Sequence, residues 1–325
     1  MLYKLISENS NQIVFWSIVT LQLIVIVFLS VSITNENIVV LGNNHVDQRE
    51  FSGNASNNYL ANFRYNPEGP IEGLMKENKT AWITEGGRLP AYILDTNSKG
   101  FREDDFSAEK PDQTYRIVFV GDSQTMGWGV NESDRYTDLI EKRLRKEHKS
   151  ENIEIINTAI PAYGFQDFQT ILKQRVSDYQ PDLVIIAGAK SSTLSISDQR
   201  EINREIEERN YSNNSERFQI YNQKVRSRLQ EENLSQIFEK WAKKWTETAG
   251  DDTSLIYYAY AEESNVDPNY FRGIEREYEI SLITGPEDLW NSENIISRDD
   301  PHFNSNGHSL HAERLYPIIS DYLNG

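Results

Sequence analysis

The chain has 325 residues, a formal charge of −17 and no cysteine. The acidic balance excludes a nucleic-acid binder, which needs a basic footprint. The missing thiols exclude a disulfide scaffold, a thiolate metal site, a cysteine nucleophile and a lipidated cysteine. Hydrophobic residues make up 38% of the chain, below the roughly 45–50% of an average domain. Even so, 6 Trp, 17 Tyr and 13 Phe can build a core, so disorder throughout is excluded. The length fits one large domain with insertions, or two small ones.

The first element in chain order is apolar on every side. No residue between Glu8 and Glu36 is charged, and Ile13–Ile33 reads IVFWSIVTLQLIVIVFLSVSI. About 20 helical residues span a hydrocarbon core of roughly 30 Å. A buried core helix is normally amphipathic, and a cleaved signal peptide has an apolar run of about 7–15 residues, although Ser30 and Ser32 resemble a small-x-small cleavage site. A retained transmembrane anchor over 13–33 is therefore expected. Lys4 precedes the run, and no Lys or Arg follows until Arg49. The positive-inside rule then puts 1–12 in the cytoplasm and the remainder outside it, as a single-pass membrane protein. Sequons at Asn54, Asn78, Asn131, Asn210, Asn213 and Asn233 fit an exported chain, though an Asn- and Ser-rich composition also yields them by chance.

Residues 34–95 show no clear period and read as a loosely packed juxtamembrane lead. From there strand and helix patterns alternate. RIVFV (Arg116–Val120) precedes a helical stretch, Ser133–Lys149. IEIIN (Ile153–Asn157) precedes another, Asp167–Arg175. LVIIA (Leu183–Ala187) and SLIYYA (Ser254–Ala259) come next, then a weaker strand, EISLI (Glu279–Ile283). A last helix spans Ser309–Leu323, with Ser309 as its cap. Apolar runs separated by helices predict a parallel sheet covered on both faces. The expected fold is thus a three-layer α/β/α sandwich over 96–325, with its ligand site at the carboxyl ends of the strands. Residues 190–250 break the rhythm. They read as a polar helical insertion with one face packed on the core, or as a lid over the strand ends.

The candidate chemistry lies at two of these ends. Gly121-Asp122-Ser123 follows the first strand directly. Asp299-Asp300-Pro301-His302-Phe303-Asn304 lies near the other end of the chain. A serine hydroxyl needs a base to become a nucleophile, and that base needs an acid to fix its tautomer. An Asp three residues before a His can reach back to Nδ1, which assigns the acid to Asp299. Two other chemistries compete with this one. His302, His308 and His311 invite a metal, but no complete ligand set accompanies them, and a capping and packing role suits His308. Asp299 and Asp300 could pair for glycoside hydrolysis, but adjacent residues point apart. No metal and no cofactor is expected.

Five segments together resemble the SGNH (GDSL-type) hydrolases. They are Asn97-Ser-Lys-Gly-Phe-Arg102, RIVFVGDSQTMGWGV (Arg116–Val130), INTAIPAYG (Ile156–Gly164), PDLVIIAG (Pro181–Gly188) and DDPHFNSNGH (Asp299–His308). That resemblance implies a flavodoxin-like sandwich and a serine esterase or acyl-transferring activity. By resemblance Ser123 is the nucleophile, His302 the base and Asp299 its orienting partner. The oxyanion donors would be the backbone N–H of Ser123 and groups in the second and third blocks. There the sequence departs from the pattern. Ala162, with Gly164 two residues later, replaces a glycine, and Ser191-Ser192 replaces an Asn-Asp pair. Ser191 could then donate in place of the amide, or Lys190 or Thr193 could be recruited. The implied substrate is an acylated small molecule or an O-acylated glycan of the cell envelope. The rival expectation is a degenerate domain that binds envelope components without catalysis.

Overall fold

The computed structural model describes residues 38–41, 74–83, 92–148, 152–193, 234–260, 268–286, 289–297 and 300–324, with scattered positions between 201 and 227. The expected anchor at 13–33, Asp299 and most of 194–233 lie outside the described residues. Among those described, no helix is long and apolar enough to cross a membrane.

Five parallel strands form the central sheet. They are β4 (Thr114–Gly121), β5 (Asn152–Asn157), β6 (Leu183–Gly188), β7 (Ser254–Ala259) and β8 (Ile280–Thr284), in the order β5-β4-β6-β7-β8. Counted within the sheet this is 2-1-3-4-5, a flavodoxin-like order; the sequence pattern itself leads only to a parallel sheet covered on both faces. The most apolar runs become the inner strands β4, β6 and β7, covered on both faces, and β6 is buried at every position. On one face lie α3 (Phe165–Gln174), α4 (Leu234–Ala249) and α5 (Pro268–Tyr278), packed through Phe168, Phe238, Trp245 and Ile274. On the other lie α2 (Tyr136–Glu147) and α6 (Ser305–Asn324), packed through Ile140, Leu144, Leu315 and Ile319. Their hydrophobic faces recur at helical spacing, as amphipathic surface helices require.

Three details differ from the sequence reading. First, the lead is partly structured. Strands β1 (Ile38–Leu41), β2 (Thr80–Ile83) and β3 (Tyr92–Asp95) form a separate sheet, and Leu74, Met75, Tyr92 and Leu94 are buried in the same core as Val118 and Val120. Second, the end of the expected insertion is α4 itself. It connects β6 to β7 and seats Phe238 and Trp245 against Phe165 and Tyr257, which suits the packed alternative. Third, α6 begins at Ser305 rather than Ser309. Asn304 caps it, its Oδ1 accepting from the N–H groups of Asn306 at 3.0 Å and Gly307 at 3.1 Å. Ser309 instead donates to the Ser305 carbonyl at 2.9 Å.

The strand order reverses between β4 and β6, so a crevice opens at their carboxyl ends. There β4 passes into a single helical turn, α1 (Ser123–Met126), and β6 into a 3₁₀ turn, Lys190–Thr193. A second small sheet joins β9 (Ile295–Ser297) antiparallel to β10 (Asp300–Phe303). It carries the histidine of the second motif.

Candidate active site

Ser123 is the first residue of α1, and Asp122 caps that turn by accepting from Gln124 N–H at 2.9 Å. Gly121 is required at the strand-to-helix corner. A Cβ there would lie 2.5 Å from Thr125 Oγ1. Beyond the turn the chain reverses at Gly127, with φ +83°, where a side chain would also strike Arg135 at 2.5 Å. The buried Arg102 guanidinium holds this reversal. It donates to the carbonyls of Gly127 at 2.6 Å, Val130 at 2.8 Å and Ile93 at 2.8 Å. The Asn97–Arg102 segment thus braces the loop that follows the nucleophile candidate, a role its sequence alone does not disclose.

Ser123 and His302 meet. His302 Nε2 lies 2.7 Å from Ser123 Oγ, although 179 positions separate the residues in the chain. The carboxylate on Nδ1 is that of Asp300, at 2.5 Å, while Asp299, expected in that place, lies outside the described residues. The reason is local geometry. Residues 300–303 are a strand, and in a strand side chains at i and i+2 share a face while those at i and i+3 do not. A three-residue reach suits a turn, whereas here a two-residue reach is built in. Asp300 Oδ1 also accepts from His302 N–H at 3.2 Å, and the Trp128 indole hydrogen-bonds the same carboxylate. Burial alone would raise the Asp300 pKa. The charge of His302, its hydrogen bonds and that of Trp128 prevail and lower it. Asp300 is therefore the ionised partner a His base needs. Because it is bonded to His302, it is not one of two free carboxylates of the glycosidase type.

Behind Ser123 lies a buried hydroxyl chain. Tyr260 donates to Asp122 Oδ1 at 2.8 Å, and Thr125 Oγ1 lies 2.7 Å from both the Tyr260 and the Tyr136 hydroxyls. With Asp122 accepting, each hydroxyl spends its one proton in sequence, from Tyr136 to Thr125 to Tyr260 to Asp122. Burial raises the pKa of Asp122, against the opposing hydrogen bonds of Tyr260 and Gln124 and the charge of His302. Burial, aided by Asp122, holds Tyr260 protonated.

The oxyanion candidates separate. Gly164 N–H is committed to Asp167 Oδ2 at 2.9 Å, where it opens α3, so Gly164 is not an available donor. Ala162 adopts φ +61°, a left-handed backbone that costs a non-glycine residue about 1–2 kcal/mol. This is the conformation for which a glycine would be chosen, and the alanine occupies it regardless. The side chain of Ser191 lies outside the described residues. Its neighbour Ser192 is buried, with Oγ accepting from Ala189 N–H at 2.9 Å and donating to Asp122 Oδ2 at 3.3 Å. Ser192 thus ties the turn after β6 to the cap of α1.

His308 and His311 are fully buried and pack on Tyr136, with ring centroids 5.8 and 5.6 Å away. His308 Nδ1 accepts from Tyr136 N–H at 3.3 Å, and His311 Nδ1 hydrogen-bonds the Tyr258 hydroxyl. Burial lowers the pKa of both, that of His311 to about 3, so both rings are neutral. No cluster of three or more His, Cys, Asp or Glu suited to a metal ion occurs among the described residues.

Sequence reasoning missed Asp300, Gln124, the Trp128 hydrogen bond, Tyr260 and Ser192. The strand period of two could have found Asp300. The others depend on contacts between distant segments.

No family model and no curated protein matches the chain. Several solved structures overlap part of it. A family 3 carbohydrate esterase from Clostridium thermocellum has a TM-score of 0.43 at 14% identity, covering 65% of this chain and 98% of that one. A Pseudoalteromonas esterase, inhibited by monoethylphosphonate, gives 0.41 at 15%, covering 66% and 100%. A lipase/acylhydrolase from Enterococcus faecalis gives 0.40 at 17%, covering 64% and 96%. Likenesses this distant decide nothing about chemistry, which the side-chain geometry must carry.

Proposed function

We propose that the chain is a serine esterase or O-acyl transferase using a Ser123–His302–Asp300 relay. One observation carries this reading: Ser123 Oγ, His302 and the Asp300 carboxylate are joined by hydrogen bonds of 2.7 and 2.5 Å at the crevice where the strand order reverses. Ser123 attacks an ester carbonyl while His302 Nε2 takes its proton. Asp300 holds Nδ1–H and stabilises the imidazolium. The tetrahedral oxyanion is received by the N–H groups of Ser123 and Ala162. Collapse expels the alcohol, which takes the proton from His302. Water, or a sugar hydroxyl, then attacks the acyl-enzyme by the same route. The reading extends to an acylated envelope glycan as substrate and to an anchor at 13–33 that holds the domain outside the cytoplasm. Both rest on the charge-free N-terminal run and the segments resembling SGNH hydrolases.

The non-catalytic binding alternative draws on the oxyanion region, where the Gly164 N–H and the Ser192 hydroxyl are already engaged. Hydrolysis of a short-chain acyl ester by the wild-type chain and Ser123→Ala separates the two. Loss of turnover in the variant is expected. Equal rates overturn the enzyme reading.

A further inference from the structure

The strand that carries His302 is weakly held by its own sheet. Its only ladder partner among the described residues is the three-residue β9, outside the five-stranded sheet. Pairing runs Asp300 with Ser297 and Phe303 with Ile295, so the register slips across Pro301 and His302. Such a bulge leaves backbone groups without a ladder partner and lets the strand bend. Proline at 301 has no N–H to contribute in any case. The base therefore sits where regular β-structure is least able to fix it.

The opposite edge of β10 meets Gln124. The side-chain Nε2 donates to the Pro301 carbonyl at 3.2 Å, and Oε1 accepts from Phe303 N–H at 2.9 Å. These two groups flank His302, so the amide stands in for the missing strand at the slip. Its orientation is dictated, because a donor faces a carbonyl and an acceptor faces an N–H. An amide supplies both from one planar group, whereas a carboxylate accepts only and an ammonium donates only. Gln124 also adjoins Ser123, and its own N–H is fixed by Asp122 at 2.9 Å. A single residue therefore links the turn that presents the hydroxyl to the strand that presents the imidazole.

We propose that Gln124 is a positioning residue that holds His302 Nε2 within hydrogen-bonding distance of Ser123 by pairing with the β10 backbone on both sides of the histidine. This rests on the reading of Ser123 and His302 as nucleophile and base. Gln124 touches no reacting atom. Asp300 and His302 ride on the same strand, so losing Gln124 leaves their contact intact and loosens only the Nε2–Oγ gap.

The test uses the 325-residue chain as wild type, Gln124→Leu, Gln124→Glu and Ser123→Ala. For Gln124→Leu, kcat falls about 10–100-fold with KM within about twofold, as expected for misplacement of a base by less than 1 Å. Gln124→Glu keeps the acceptor for Phe303 N–H and falls between the two. NMR supplies readouts independent of turnover. The low-field Nδ1–H proton of His302 persists in Gln124→Leu, while its Nε2 nitrogen shift moves to the value seen in Ser123→Ala. Retention of the wild-type Nε2 shift and kcat overturns the proposal. So does loss of the Nδ1–H proton in both Gln124 variants, since that marks general disruption of the strand. If the wild type turns over no ester, the proposed function fails, and the Nε2 shift still decides the role of Gln124.

Discussion

The two halves of the candidate site are held in different ways. Ser123 leaves a strand hydrogen-bonded on both sides in the main sheet. Asp122, next to it, is gripped by Tyr260, Ser192 and Gln124, and Arg102 clamps the loop beyond. His302 lies on a short, slipped strand, and its side chain is oriented by Asp300. Ser123 is over-determined, while His302 depends on few contacts. Removing one contact should therefore cost little on the first side and much on the second.

Asp300→Asn tests the weak side most severely. It is expected to lower kcat by about 10³–10⁴, through loss of the carboxylate that fixes the histidine tautomer. The same change at Asp299 should leave kcat within about twofold. Parallel steady-state kinetics on a short-chain ester check both, and equal losses would restore Asp299 to the relay. Trp128→Phe removes one donor from Asp300 and should reduce kcat about 10-fold, in line with about 1.5 kcal/mol, the low end for a hydrogen bond to a charged group. Ser192→Ala removes one of several donors to Asp122 on the strong side, and a loss of less than about threefold is expected. If Ser192→Ala proves worse than Trp128→Phe, the contrast between the two sides fails.

A pH effect comes from behind the base. Folding depresses the pKa of His308 and His311, so the unfolded chain binds up to two more protons than the folded one below the usual histidine value. Stability should be full above about pH 6.5 and fall on acidification, for His311 until about pH 3. Thermal melts of His311→Gln should show a lower Tm at pH 7 but a shallower decline between pH 6 and pH 4. The smallest effect is expected at Ala162→Gly. Relief of the left-handed strain, less the added backbone entropy of glycine, should stabilise the fold by about 0.5–1 kcal/mol. Calorimetry with a parallel rate measurement checks it, and kcat should stay within about twofold.

The sheet was legible because runs such as LVIIA are apolar at consecutive positions, which only a strand covered on both faces explains. Ser123 and His302 were legible because their immediate neighbours are distinctive. Asp300 was not, because choosing between adjacent acids requires knowing that 300–303 is a strand. The start of α6 was misplaced for a similar reason, because Ser309 suits a cap by residue type and only the Asn304 turn shows that the helix begins earlier. Tyr260, Ser192 and Gln124 leave no local signature. Each acts across 70 or more positions of chain, and a sequence read in short windows does not register such partners. The buried residues of the lead, Tyr92 and Leu94 among them, were hidden by the Asn- and Gly-rich text around them.

The placement of Asp300 and His302 two residues apart on β10 has a consequence for how the site would fail. The two side chains form one covalent cassette, so a shift of β10 moves them as a unit. The proposed proton relay then has one soft coordinate, the gap to Ser123. An enzyme built this way can idle with its base fully formed and its nucleophile unactivated, and a movement of about 1 Å separates the two conditions.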